Sequence, residues 1–267
     1  MKDLSDNNIS ENTASVRLNK FMSEAGFCSR READRLIEAG EVTVDGVPAV
    51  AGQKVLPGQK VICGGNVIQK NNKMILIAFN KPEGVECTSA KDVSNNIINF
   101  IDHPQRIYPI GRLDKSSSGL ILLTNNGDLV NKILRSSGRH EKEYSVTVNK
   151  PITGEFLERM RSGVDLKYDE VYRERIKNGR PAHPGETIRT LPCKVRTTGK
   201  TTFDIILTQG MNRQIRRMCS ALGYKVITLK RTRIMNIRLG NLPEGHWRNV
   251  TEAEINKLMK ELAKGKD

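Results

Sequence analysis

Gly64-Gly65 and the polar run Gln69-Lys70-Asn71-Asn72-Lys73 divide this chain into two parts of different character. Paired glycines and consecutive polar residues offer no apolar face, so the segment reads as a linker rather than as part of a core. A chain interrupted in this way is expected to bury two separate cores, and 267 residues are enough for both. The expected division is a polar tail over residues 1–14, a first domain over 15–66, a linker over 67–73 and a second domain over 74–265.

In the first domain, Leu18, Phe21, Met22 and Ala25 recur on one helical face, and Gly26 can end that helix. Ser29 and Glu32 have the spacing of a capping box, which starts a second helix. Ala33, Leu36 and Ile37 are its apolar face and Gly40 its stop. Val42 and Val44 then alternate with polar residues before Asp45-Gly46, a strong hairpin signal. Pro57-Gly58 marks another turn ahead of Val61. The order is helix, helix, short strands.

The second domain opens on the apolar run Met74 to Phe79, a buried strand. Ile97, Ile98 and Ile101 predict a short helix, and Gly119 to Thr124 a second buried strand. Tyr144 to Val148 and Thr202 to Thr208 alternate as half-buried strands. Ile215, Met218, Cys219 and Leu222 form a helical stripe ending at Gly223. Thr251 and Glu254 cap a last helix carrying Ile255, Leu258 and Met259. Strands outnumber helices without regular alternation, which predicts an α+β class with a mostly antiparallel sheet.

Lys and Arg number 44 against 30 Asp and Glu, a formal net charge of +14 spread along the chain. Such a balance attracts polyanions, and nucleic acid is the expected partner. Arg17, Lys20, Arg30, Arg31 and Arg35 lie on or near the first two helices. Arg30 and Arg31 fall in the first turn of the second, where exposed N–H groups and the helix dipole already favour an anion. Phosphate binding and a solvated helix face, with Glu32, Asp34 and Glu38 intermixed, are both open at this point. The five cysteines (Cys28, Cys63, Cys87, Cys193, Cys219) are scattered, which disfavours disulfides and structural zinc. With neither a signal-like apolar stretch at the N-terminus nor a membrane-length run, a cytosolic protein without a membrane partner is expected.

The segment from Gly111 to Asn125, GRLDKSSSGLILLTN, places Asp114 between Arg112 and Lys115 in a Ser/Gly-rich loop before an apolar strand. Opposite charges nearby favour the ionised carboxylate, and an anionic Asp on a strand-held loop is a nucleophile or base candidate. A surface turn with a solvated ion pair fits the same residues.

Resemblance adds what spacing does not. Val16 to Lys20, Cys28 to Ala33 and Gly40 to Gly46 together resemble the RNA-binding domain first seen in small-subunit ribosomal protein S4. The Asp114 segment resembles the catalytic-aspartate motif of pseudouridine synthases. Lys142-Glu143-Tyr144-Ser145-Val146 resembles that family's tyrosine-bearing strand, and Gly210 to Met218 its arginine-bearing motif. The three stand in the family's order. Arg231 to Asn236 and Gly245 to Arg248 also fit the RsuA/RluB/RluE/RluF-type branch, closest to the RluF subgroup acting on large-subunit ribosomal RNA.

The resemblance implies a fold of an S4-like module followed by a synthase domain. It implies a catalytic set of Asp114 as nucleophile, Tyr144 packed on the target base and Arg216 paired with Asp114. Arg112 would enter the space the flipped base leaves. RNA contacts are expected from Arg112, Leu113, Lys115, Arg213, Gln214, Ile215 and Arg217, and from Arg17, Lys20, Arg30, Arg31 and Arg35. A hinge at the linker would let the two parts grip separate stretches of one RNA. The implied substrate is a stem-loop of 23S ribosomal RNA, bound by a monomer. Pseudouridine formation is an isomerisation that needs no cofactor, metal or group donor. That agrees with a sequence lacking a dinucleotide fingerprint, a phosphate loop and a metal-ligand cluster.

One departure is Lys167 to Pro192, longer and more polar than a compact turn, with Tyr168, Tyr172 and several arginines. It leaves the choice of target uridine open. Three alternatives stand beside the synthase reading. One is a catalytically silent RNA-binding or ribosome-assembly factor. Another is a synthase for small-subunit ribosomal RNA or tRNA. The third is a nucleoside hydrolase, which needs paired carboxylates; Asp128 and Glu143 are its candidates.

Overall fold

A computed structural model of the chain describes residues 15–69, 73–90, 92–135, 139–167 and 187–264. Two compact units divide between Met74 and Ile75. In the first, β1 (Val16–Arg17) leads directly into α1 (Leu18–Glu24), followed by α2 (Arg30–Glu38), β2 (Val42–Val44) and β3 (Val47–Pro48). Then come β4 (Lys54–Val55), β5 (Val61–Cys63) and β6 (Asn66–Ile68). Ser29 caps α2 as its spacing predicts, accepting from the Glu32 amide at 3.1 Å. Asp45 and Gly46 both take positive φ, the backbone a two-residue hairpin between β2 and β3 requires.

Leu18, Met22, Ala33 and Ile37 from the two helices pack on Val42, Val44, Val55 and Val61 to form one core. Two expectations change here. Gly64-Gly65 is the turn joining β5 to β6 rather than linker, and both glycines have positive φ. Ile68 is buried in the module core, so the chain stays with the module beyond residue 66.

The second unit is built on a nine-stranded sheet. Its main path runs β13 (Lys194–Gly199), β14 (Thr202–Leu207), β10 (Lys142–Val148), β15 (Val226–Ile234), β9 (Ser118–Thr124), β7 (Leu76–Lys81) and β17 (Trp247–Asn249). Short β8 (Tyr108–Pro109) joins β9, and β16 (Ile237–Arg238) joins β15. Every pairing is antiparallel except β15 with β9. The α+β class and mostly antiparallel sheet are as expected.

Two cores line this sheet. One gathers Val146, Val148, Phe203, Ile205 and Leu229 with Phe156, Ile215 and Met218. The other gathers Ile77, Phe79, Ile121 and Leu123 with Ile97, Ile107 and Leu113. α3 (Ile97–Ile101), α6 (Gln214–Ala221) and α7 (Glu252–Lys264) occupy the three predicted helical stripes. Two further helices, α4 (Gly127–Leu134) and α5 (Gly154–Ser162), carry the short apolar pairs Leu129/Ile133 and Phe156/Met160 that periodicity alone passed over. Met259, expected on the apolar face of α7, is exposed; Leu262 takes its place beside Leu258. The segment Lys167 to Pro192 is not loop at its ends. β11 (Asp165–Lys167) pairs antiparallel with β12 (Thr187–Arg189). Tyr168 and Tyr172 lie outside the described residues.

Candidate active site

The sheet order decides which predicted residues meet. β9 delivers the Asp114 loop from its N-terminal end and β15 lies beside it, with β10 on the far side of β15. Tyr144 of β10 therefore pairs across strands with Arg231 of β15, and Arg231 pairs in turn with Gly119 of β9. A cavity of about 600 Å³, of ligand-pocket size, opens at this junction. Asp114, Tyr144, Lys142, Arg213 and Arg231 are among its lining residues. Among the described residues Asp114 is the only carboxylate that lines it.

The loop bearing Asp114 is held from several directions. The Ser117 amide donates to the Asp114 carbonyl at 3.0 Å, closing the turn. The Gly84 amide donates to the Lys115 carbonyl at 2.8 Å, and the Leu113 amide donates to Cys87 Sγ at 3.4 Å. Beneath, Lys81 is fully buried, its ammonium donating to the Pro82 and Val85 carbonyls at 2.7 and 2.9 Å. Burial pushes that ammonium below the usual lysine range, and Cys87, Glu83 and Asp114 act in the opposite direction. Gly119 closes the loop where β9 begins. Its φ is +101°, and an added Cβ would stand 2.3 Å from the Arg231 carbonyl oxygen.

Arg216 occupies a different place from the one its pairing predicts. Among the described residues Asp114 has no ion pair with it. Its Nη2 donates to the Ser116 carbonyl at 2.6 Å and to Ser117 Oγ at 3.3 Å, and its Nη1 donates to the Val226 carbonyl at 3.4 Å. Arg216 thus grips the backbone just after Asp114 and ties the loop to α6 and β15. Burial lowers its pKa, Arg213 lowers it further, and the Asp114 carboxylate raises it, so the two charges still feel one another.

The remaining predicted positions divide by exposure. Arg112 and Arg213 are exposed and line the cavity. Arg213 sits in the left-handed region at φ +48°, starting α6. Lys115 is turned to Glu86, 2.8 Å away, rather than to Asp114. Leu113, Gln214 and Ile215 are buried. The Gln214 amide group holds the Arg213 turn by accepting from the Met211 amide at 3.1 Å and donating to Gln209 at 3.2 Å. Arg217 donates to the Lys167 carbonyl, joining α6 to β11. In the module, Arg17, Arg30, Arg31 and Arg35 are exposed; Arg35 pairs with Glu32 at 3.0 Å and Lys20 with Glu24 at 3.5 Å.

Arg231 is the site residue that pattern reading missed. Only 3 % exposed, it donates through Nε to the Leu120 carbonyl at 2.6 Å and through Nη1 to the Arg112 carbonyl at 3.3 Å. Its guanidinium carbon stands 5.9 Å from the centre of the Tyr144 ring. Lys230, Arg231 and Arg233 stand so close together in β15 that nothing in the sequence marks Arg231 as the buried one; its partners do. The hydrolase candidates do not meet. Glu143 lies on the opposite face of β10 from Tyr144 and pairs with Arg233 at 2.7 Å, and Asp128 lies in the first turn of α4.

A loop-held aspartate, an aromatic ring and several arginines thus gather around one cavity. The family model for RNA pseudouridylate synthases matches residues 75–221, and the S4 domain matches residues 16–61. The chain belongs to the RNA pseudouridylate synthase family and carries an S4 domain ahead of the synthase domain. It is 48% identical, over 92% of its length and 79% of the relative, to the dual-specificity RNA pseudouridine synthase RluF of Escherichia coli K12. It is 32% identical to the ribosomal large subunit pseudouridine synthase B of Bacillus subtilis, over 91% of this chain and 95% of that one. A crystal structure of a pseudouridylate synthase superposes with a TM-score of 0.63 at 27% identity, covering 91% of this chain and all of that one. Among the described residues, no helix is long and apolar enough to cross a membrane.

Proposed function

We propose that this enzyme converts a uridine in a stem-loop of 23S ribosomal RNA to pseudouridine, acting as a cytosolic monomer, with Asp114 as nucleophile. The observation that carries this reading is the cavity that Tyr144 lines and in which, among the described residues, Asp114 is the only carboxylate. The reaction breaks the bond from uracil N1 to ribose C1′ and joins C5 to that same carbon. It needs an anionic group at the ribose or the ring, a surface to hold the detached base, and exclusion of competing water. Asp114 supplies the first and the Tyr144 ring the second.

Arg216 holds the Asp114 loop in place through Ser116 and Ser117 and adds positive charge behind the carboxylate. The uridine must leave its stack to reach the cavity, at a cost of roughly a few kcal/mol. The exposed Arg112 and Arg213 at the cavity offer charge to the phosphates of the flipped nucleotide. Arg30 and Arg31 on the S4 module offer a second set of phosphate contacts. The relatives named for dual specificity favour a second RNA substrate as the alternative target.

The test is to map pseudouridines in ribosomal RNA from cells with and without this chain, restoring it as wild type or as Asp114→Asn. One 23S position should lose its modification and regain it with wild type alone. No change at any ribosomal position would sink the proposed substrate.

A further inference from the structure

Two cations face the same part of the cavity as the Tyr144 ring. Arg231 is buried, and with Nε and Nη1 engaged on the Leu120 and Arg112 carbonyls its Nη2 has no hydrogen-bond partner. An unpartnered, buried guanidinium N–H is costly unless something arrives to accept from it. Lys142 lies two residues before Tyr144 on the same face of β10, and lines the same cavity. The hydrogen bond recorded for its ammonium runs to the His140 carbonyl at a long 3.3 Å. Burial and the neighbouring Arg231 both push that ammonium below the usual lysine range. Among the described residues neither group has a carboxylate partner, and Asp114 is the only carboxylate lining the cavity. Two desolvated positive groups with no carboxylate partner among the described residues suit an anionic group of the substrate.

Resting on the synthase reading above, we infer that Arg231 and Lys142 form a subsite for the negative charge that develops on the uracil carbonyl oxygens. Both routes open to Asp114 place charge there. On the ribose route a carboxylate oxygen bonds C1′ and the C1′–N1 bond breaks. Its electron pair stays on N1 and spreads to O2 and O4 of the departing uracil anion. On the ring route the carboxylate oxygen bonds C6, the C5–C6 π pair moves to C4–C5, and the C4–O4 π pair moves onto O4, which becomes an enolate oxygen. In either case a base packed on Tyr144 lies beside Arg231 Nη2, which donates to a uracil carbonyl oxygen, with the Lys142 ammonium farther along the strand. Donors held ready in a water-poor site strengthen as the charge forms, which is where catalysis gains most.

Lys142 gives the cleaner test, because Arg231 also supports the Leu120 and Arg112 backbone. Single-turnover rates and RNA affinity would be measured on a 23S ribosomal RNA transcript for wild type, Lys142→Gln and Lys142→Arg. Lys142→Gln should lower the single-turnover rate about a hundredfold, the loss typical of one missing oxyanion donor, with RNA affinity changed by no more than a few-fold. Lys142→Arg should recover most of the rate. Among the described residues, the charged and titratable groups that line the cavity with Lys142 are Asp114, Arg112, Arg135, His140, Tyr144, Arg213 and Arg231. Wild type should lose rate as rising pH strips the Lys142 proton, and Lys142→Arg should carry activity to higher pH. Three results overturn the inference: an unchanged rate in Lys142→Gln, a loss confined to RNA affinity (the mark of a phosphate contact), or a pH profile identical in Lys142→Arg. If wild type itself forms no pseudouridine on any ribosomal transcript, the failure lies with the proposed function instead.

Discussion

At the scale of single residues, Asp114 and Arg216 separate chemistry from support. Asp114→Asn keeps the shape and removes the charge, so pseudouridine formation should fall to background while melting temperature and RNA affinity stay near wild type. Measurable turnover by the purified variant would remove Asp114 from the nucleophile's role. Arg216→Leu acts through geometry. It leaves the Ser116 carbonyl and Ser117 hydroxyl without their donor, a loss of about 1–3 kcal/mol in stability, and it frees the loop. The rate constant should fall by at least a hundredfold, since misplacing a reacting group by an ångström is enough. Wild-type turnover in Arg216→Leu would show that the loop needs no clamp. The sequence named both residues. In the structure Arg216 bonds the backbone beside Asp114 and acts on the carboxylate through charge, a division that motif spacing does not reveal.

At the scale of elements, local rules were legible wherever one segment settled its own conformation. The Ser29 cap, the Asp45-Gly46 hairpin and the buried strands β7 and β9 were all readable from neighbouring residues. What was not readable depends on partners distant in sequence. β15 looks like a basic stretch, and its burial follows from lying between β10 and β9. Gly119 illustrates the same dependence. Its absent side chain is needed because the Arg231 backbone lies against it. Gly119→Ala should therefore destabilise the synthase domain by several kcal/mol, from strain at positive φ together with a backbone clash. A melting temperature within a degree of wild type would contradict that packing.

The start of α7 makes a second prediction at this scale. Arg248, with the Thr251 backbone and hydroxyl, holds the Glu254 carboxyl down to about 2. A depressed carboxylate pKa adds stability that is full above the unfolded value of about 4.3 and is lost as pH falls toward 2. With solvent screening, the contribution is about 1–2 kcal/mol. Glu254→Gln should lower the melting temperature at pH 7 and match wild type near pH 2; an equal deficit at both pH values would assign the loss to packing.

At the scale of the whole molecule, RNA binding depends on how charge is shared between two units. The net charge of +14 is distributed along the chain, so charge alone does not say which unit holds the RNA. The structure narrows the choice within the S4 module. Lys20 and Arg35 are committed to Glu24 and Glu32, whereas Arg30 and Arg31 stand exposed in the first turn of α2. Helix dipole, orphan amides and two guanidinium groups coincide there. Each phosphate neutralised contributes a slope of roughly 0.7 to 0.9 in the logarithmic dependence of affinity on salt. Replacing Arg30 and Arg31 together with Gln in the full chain should flatten that slope by about 1.4 to 1.8 if each holds one phosphate. The uridine chemistry sits in the other unit, so the rate at saturating RNA should be unchanged. A fall in that rate would mean that the module helps to place the uridine. An unaltered slope would show that Arg30 and Arg31 face solvent in the complex, and that the synthase domain carries the electrostatic part of binding by itself.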